Sequence, residues 1–355
     1  MKFRIRDKEI GDENETYFIA DIGANHDGDL QRAKDLIRLA SDAGADAAKF
    51  QHFQAKTIVS KQGFNELRVG ATHQSNWKKS VYETYEDASI DLAWNNELNE
   101  ECEKCGIHFF SSIYDLDILT EMADLVPAFK IGSGDIDWTE MLEATSKFGK
   151  PVIIAAGASK LHEVENAINT IQLRNSDVAL LQCNTNYTGS SNNFKYLNLN
   201  VLKSFKERFG DVVLGLSDHT PGHTSVLGAV ALGAKIIEKH FTDDKNRVGP
   251  DHGFALDSYD WKNMISEVKN LEDALGDGIK TIENNEIDSF LVQRRSLRSK
   301  QLIKAGDHIT SQNLVALRPR TQNGISPSEL KNIIGKRVKN TLKEGLEIEW
   351  SNLEY

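Results

Sequence analysis

Eight short apolar runs rich in β-formers recur between residues 17 and 241, and longer stretches of helical periodicity separate them. Strand alternating with helix dictates a parallel sheet, because each strand must return to the same end through a crossover. The runs are YFIADIG (17–23), DAAKFQ (46–51), HFFSSI (108–113), AFKIGS (128–133), PVIIAAG (151–157), DVALLQCN (177–184), DVVLGLSD (211–218) and AKIIEKHF (234–241). Eight such units match the size of a closed (β/α)₈ TIM barrel. The rival arrangement is an open doubly wound sheet, which would carry GxGxxG after its first strand; here the sequence reads GANHDGDL. The expected fold is therefore α/β, a (β/α)₈ barrel.

The crossovers fit this reading. In LQRAKDLIRLASDAG, Leu30, Ala33, Ile37 and Ala40 share one stripe, and Gly44 stops the helix. The segment from His52 to Gly106 is too long for one crossover. It is expected either as a lid over the barrel's C-terminal face or as an extra helix on the barrel's side. After about residue 285 the alternation ends. KAGDHITSQNL (304–314) and KEGLEIEWSNL (343–353) both fit K-x-G-x-x-I-x-x-x-N-L. Two copies of one small β unit are expected to bury their isoleucines against each other. The domains read as 1–284, the barrel, and 285–355, a small mostly β domain.

The net charge of −11 argues against nucleic-acid and anionic-membrane partners, which need a basic face. No apolar run is long enough to span a bilayer. The start MKFRIRDKEIGDENE lacks the apolar core of a signal peptide, so a cytoplasmic location is expected. The three cysteines form no disulfide framework. Cys102 and Cys105 make a lone CxxC, read as the end of a helix closed by Gly106.

Barrel enzymes draw their catalytic groups from the C-terminal ends of strands. Here those ends are polar: Asp21, Lys49 with Gln51, Ser111 and Ser112, Lys130 with Ser133 and Asp135, Asn184 with Thr185 and Tyr187, Ser217 to His219, and Glu238 with His240. A single strand-end histidine is usually a satisfied core residue. Lysines within apolar strands are different, because buried ammonium groups need partners. Lys49 and Lys130, with Ser133, Thr185 and Ser217 nearby, suit an anion such as phosphate. His219 and His240 fall on neighbouring strands and could share one divalent ion, with Glu238 beside it. Such ligands suit Mn²⁺, Zn²⁺ or Fe²⁺ in an open site. SDHT is not a hydrolase triad, and no GxSxG elbow is present.

At these residues the chain resembles the sialic acid synthase (N-acetylneuraminate synthase) family. The likeness rests on IADIGANHDGDL, GADAAKFQ, FKIGSGD, PVIIAAGAS, GLSDHT, EKHFTDD with GPDH, and RRSL. It continues through LRPRTQNGISP and IIGKRVKNTLKEG into a SAF (antifreeze-like) domain. The resemblance implies a domain-swapped homodimer and a phosphoenolpyruvate-dependent nonulosonic acid synthase. The partners would be phosphoenolpyruvate and an open-chain N-acylated amino sugar. The metal would be Mn²⁺, with Mg²⁺ or Co²⁺ as alternatives, held by His219 and His240. Lys49, Lys130, Ser133, Thr185 and Ser217 would bind the phosphate. Gln51, Tyr187, Asp251 and Arg318 would meet the sugar. Asp21, Asp135 and Glu238 would be the catalytic carboxylates, beside the two histidines.

Several positions depart from the family pattern. Asp21 and Asp135 stand where glutamate is usual, Ala155 and Ala156 where Ser-Thr is common, and Gln182 where histidine is common; FFSSIYD replaces the frequent F-S-T-P-F-D. These changes leave the reaction type and open the choice of sugar, N-acetylmannosamine or a 2,4-diacylamino-trideoxyhexose. Rival readings are a related synthase acting on a phosphorylated sugar, a sugar-binding homologue that has lost catalysis, and a polysaccharide- or ice-binding role for the second domain.

Overall fold

A computed structural model describes residues 2–67, 74 and 77–354. The chain opens with an antiparallel hairpin, β1 (Lys2–Ile5) and β2 (Lys8–Gly11). Eight parallel strands follow: β3 (Tyr17–Asp21), β4 (Ala47–His52), β5 (His108–Ile113), β6 (Phe129–Ile131), β7 (Val152–Ala155), β8 (Val178–Cys183), β9 (Val213–Asp218) and β10 (Ile236–His240). They pair in chain order, and β10 returns to β3 to close the barrel. All eight apolar runs thus become barrel strands.

Side-chain alternation divides the barrel into two cores. Tyr17 and Ile19 of β3 point inward, while Phe18 and Ala20 point out to the helices. The helix Leu30–Asp42 covers that outer face with Ala33, Leu36, Ile37 and Ala40. Asp29 caps its start by accepting from Arg32 N, and Gly44 follows its end at φ +93°. The inner core is Ile19, Phe110, Ile153, Leu181, Val213, Ile236 and their neighbours. Phe3, Ile5 and Ile10 of the hairpin join it and plug the floor. The sequence reading missed this hairpin, because its strands are four residues long and half their side chains are charged or exposed.

The segment after β4 folds into the helices Ala55–Ile58, Lys61–Glu66 and Val81–Ala88 before the crossover helix Asn95–Lys104. Residues 68–73, 75 and 76 of the long 52–106 segment lie outside the described residues. Cys102 is buried within the crossover helix, Cys105 caps it, and Gly106 follows at φ +71°. Burial pushes both thiols up, so neither favours the thiolate that redox or metal chemistry needs.

Residues 1–276 form one compact unit and 277–355 another. The second contains the antiparallel pair β11 (Ser296–Ser299) and β12 (Leu314–Leu317) around its own apolar core. It is less regular than a β domain suggests. A helix, Ile287–Gln293, precedes β11, and further pairing is by isolated bridges such as Ile303 with Leu342. The sequence repeat is structural. Ile309 and Ile348 are both fully buried, and Gly306 and Gly345 both take positive φ. Asn313 Oδ1 accepts from Thr310 N at 2.9 Å, as Asn352 Oδ1 does from Glu349 N at 2.8 Å.

Candidate active site

Two residues above the apolar inner core, the same strands turn polar. Asp21, Lys49, Ser112, Lys130, Ser217 and Glu238 line a cavity of about 330 Å³ at the C-terminal mouth. Gln51, Ser133, Asp135, Tyr187, His219, His240 and Asp251 line it too. Of the polar strand-end residues singled out in the barrel, Ser111, Asn184, Thr185 and Asp218 are off the wall. The Thr185 methyl packs at Gly157, where a Cβ would stand 2.5 Å from it, with Ser133 Oγ and Cys183 Sγ also close to that point. Arg318 belongs to the second unit, just past β12, and is exposed.

The lysines are not free cations. Lys49 Nζ donates to Asp21 Oδ2 at 2.7 Å and lies 3.9 Å from Glu238 Oε1; Lys130 Nζ is 3.5 Å from the same oxygen. All four side chains are almost wholly buried. Burial works against the charge on Lys49, but the Asp21 and Glu238 carboxylates outweigh it and raise its pKa. The sequence suggested an anion site of two lysines. The fold adds two carboxylates that compensate them, contributed by β3 and β10 where the barrel closes.

The imidazoles of His219 and His240 face each other with ring centres 5.5 Å apart. His219 Nδ1 lies 2.9 Å from the Asn184 carbonyl, which puts the proton there and leaves Nε2 with a free lone pair. His240 Nδ1 is buried without a hydrogen-bond partner, and its Nε2 lies 3.4 Å from Asp21 Oδ2. Burial pushes both imidazoles towards the neutral form, and His219 adds to the effect on His240. Asp21 Oδ1 and Glu238 Oε2 are likewise buried and unbonded. Two neutral imidazoles beside unsatisfied carboxylate oxygens fit a divalent cation with open coordination positions. Among the described residues no group of three or more His, Cys, Asp or Glu side chains is placed to hold a metal ion, so the fit rests on the two imidazoles alone.

Asp218 and Lys239 occupy the intervening outward positions and were not assigned from sequence. They are paired in register across β9 and β10 and form an ion pair of 2.6 Å with almost no exposure. Asp218 also accepts from Ser225 Oγ at 2.5 Å and from Thr220 N at 3.0 Å, while Lys239 donates to the Thr220 carbonyl. This knot sits behind His219 and His240 and fixes the strand ends that carry them.

The opposite wall is aromatic. Tyr114, Phe53, Tyr85 and Trp77 form a chain of ring contacts with centre separations from 5.1 to 6.3 Å. Three of these residues come from the 52–106 segment, and Ile58, Thr84 and Ala88 line the cavity beside them. That segment therefore helps to build the mouth. Tyr114 lies so close over Gly132 that a Cβ there would stand 2.9 Å from the phenol oxygen. Asp135 follows in the turn Ser133–Asp135; burial, with Asp137 nearby, pushes its carboxyl up to about 6. Burial, with Asp21 nearby, pushes Asp251 to about 6 as well.

Fold and site together define a TIM-barrel enzyme whose mouth pairs two histidines with two lysines. Residues 36–280 match the NeuB family and residues 294–354 the SAF domain. The chain belongs to the NeuB family, that of the nonulosonic acid synthases. It is 37% identical to the N,N'-diacetyllegionaminic acid synthase of Campylobacter jejuni, over 93% of this chain and 97% of that protein. It is 30% identical to human N-acetylneuraminate-9-phosphate synthase, over 94% and 92%. Among solved structures, the N-acetylneuraminic acid (sialic acid) synthetase of Leptospira borgpetersenii in complex with citrate matches with a TM-score of 0.72 at 27% identity, covering 81% of this chain and 95% of that one. No helix among the described residues is long and apolar enough to cross a membrane.

Proposed function

We propose that this protein condenses phosphoenolpyruvate with the aldehyde of an open-chain N-acylated amino sugar and releases phosphate. The carrying observation is the convergence, in one cavity, of Lys49, Lys130 and Ser217 with two neutral imidazoles and two buried carboxylates. Residues 1–284 would be the synthase domain, its boundary a few residues past the first compact unit, and 285–355 the SAF domain of a domain-swapped homodimer, in which Arg318 would reach the partner's acceptor.

C3 of phosphoenolpyruvate bonds to the aldehyde carbon, and the aldehyde oxygen takes a proton. Water adds at C2, the C2–O bond breaks, and phosphate leaves. Lys49, Lys130, Ser133 and Ser217 hold the phosphate, and Thr185 packs at Gly157 beside them. Asp21 and Glu238 line the same cavity, each with one carboxylate oxygen unbonded, and would stabilise the positive charge that develops at C2 and accept protons from the water. A divalent cation, Mn²⁺ or alternatively Mg²⁺ or Co²⁺, would be held by His219 and His240 and would polarise the aldehyde. Gln51, Tyr187, Asp135 and Asp251 face the acceptor.

The far wall supports an acceptor with an uncharged end. Apart from Lys49 and Lys130, no lysine or arginine lines the cavity among the described residues. The aromatic rings and the Asp135 carboxyl would disfavour a terminal phosphate. A 2,4-diacylamino-trideoxyhexose or N-acetylmannosamine fits this wall better than a phosphorylated sugar. The test is phosphate release from phosphoenolpyruvate with Mn²⁺ and a panel of these acceptors. Release that requires an unphosphorylated N-acylated sugar supports the proposal, and release with none of them overturns it.

A further inference from the structure

Asp27 and His252 lie outside the cavity and belong to the NHDG and GPDH motifs, of which only Asp251 had a role. Asp27 adopts φ +52°, a left-handed conformation uncommon for a side-chain-bearing residue. Its carboxylate serves two partners: Oδ1 lies 3.0 Å from His252 Nε2, and Oδ2 lies 3.1 Å from Arg32 Nε. His252 is fully buried, and its second nitrogen, Nδ1, lies 2.7 Å from Thr242 Oγ1. With both ring nitrogens engaged, the plane of the imidazole is fixed. Arg32 continues the network, donating to the Asn25 carbonyl and gripping Asp243 through both terminal nitrogens. Gly249 runs against the imidazole, where a Cβ would stand 2.6 Å from the ring.

These contacts bind the loop after β3 (22–29) to the loop after β10 (241–257). Asp251 is the residue just before His252. It accepts from Ala24 N at 3.0 Å and lies 3.8 Å from His240 Nδ1. It is therefore gripped directly by the first loop and anchored through its neighbour to the same loop. The lysines and Ser217, proposed to hold the phosphate, stand on barrel strands rather than on either loop.

We infer that Asp27 and His252 are positioning residues, a clasp that presents Asp251 to the acceptor and tunes acceptor binding without affecting phosphoenolpyruvate. The inference rests on the proposed reading that Asp251 meets the acceptor. A loop freed from the clasp would have to be ordered at each binding event, at a cost that weakens the acceptor alone.

The test compares Asp27→Asn, Asp27→Ala, His252→Ala and the double alanine variant. Acceptor KM is expected to rise roughly tenfold or more in each alanine variant and less in Asp27→Asn, with kcat within about threefold. The double variant should be no worse than the worse single, since one clasp is broken either way. Calorimetric binding of phosphoenolpyruvate should stay within about twofold of wild type. If His252→Ala fails to fold, the half-exposed Asp27 variants still decide. A lowered Tm with acceptor KM unchanged, or acceptor and phosphoenolpyruvate affinities falling together, would overturn the inference. Absence of turnover by the wild-type protein with every acceptor is a separate outcome; it removes the proposed function and this inference with it.

Discussion

The floor and the mouth of the barrel are built by the same strands, two residues apart, yet they obey opposite rules. Tyr17 and Ile19 give way to Asp21 along β3, Phe110 to Ser112 along β5, and Ile236 to Glu238 along β10. The floor is apolar and closed by the hairpin residues Phe3, Ile5 and Ile10. The mouth contains buried lysines, carboxylates and imidazoles, several with polar atoms left unbonded. Unsatisfied buried groups work against folding, so they persist where a ligand can complete them. The floor therefore contributes stability, and the mouth gives some of it up for chemistry.

Substitutions can break this division. The largest effect is expected from His219→Ala. Acceptor-dependent phosphate release should fall at least about a thousandfold, while Tm shifts by less than about 5 °C; phosphate assays and calorimetry check both. Next is the knot behind the histidines. Lys239→Met leaves Asp218 buried and unpaired and should cost about 3–5 kcal/mol by denaturant unfolding. Adding Asp218→Leu should restore most of that stability without restoring activity, if the knot positions His219 and His240. At the floor, Phe110→Ala should cost about 3–5 kcal/mol through the cavity it leaves. The remaining folded protein should keep its phosphoenolpyruvate KM.

A pH-dependent effect separates the barrel's outer layer from its mouth. Burial holds His26 and His52 neutral, with pKa values lowered to about 4. Their folded values lie below the unfolded one, so the stability they contribute is complete above about pH 6.5. It declines as pH falls and is lost on passing pH 4, by about 3 kcal/mol per histidine. Urea unfolding at pH 7 and pH 4.5 should show this loss, and His52→Asn should reduce it.

Much of this was legible in the sequence, for a physical reason. Period-two alternation makes a lysine such as Lys49, or paired residues such as Glu238 and His240, stand out at the end of an apolar run. Both lysines and both histidines could be found that way. What stayed hidden depends on contacts between distant segments. The carboxylate partners of the lysines come from β3 and β10, which meet only because the barrel closes. Lys239 faces the helical layer, where pattern reading expects an apolar residue. Tyr114, Phe53, Tyr85 and Trp77 form one wall although they are scattered over 62 positions. The clasp of Asp27 on His252 spans 225 residues.

The most direct measurement of the central claim is the fate of the bridging oxygen of phosphoenolpyruvate. With that oxygen labelled as ¹⁸O, Mn²⁺ present and an N-acylated amino sugar as acceptor, the label is expected in the released phosphate, because the C2–O bond breaks. Label retained at C2 of the sugar acid, or phosphate released equally well without acceptor, would contradict the synthase chemistry assigned to this mouth.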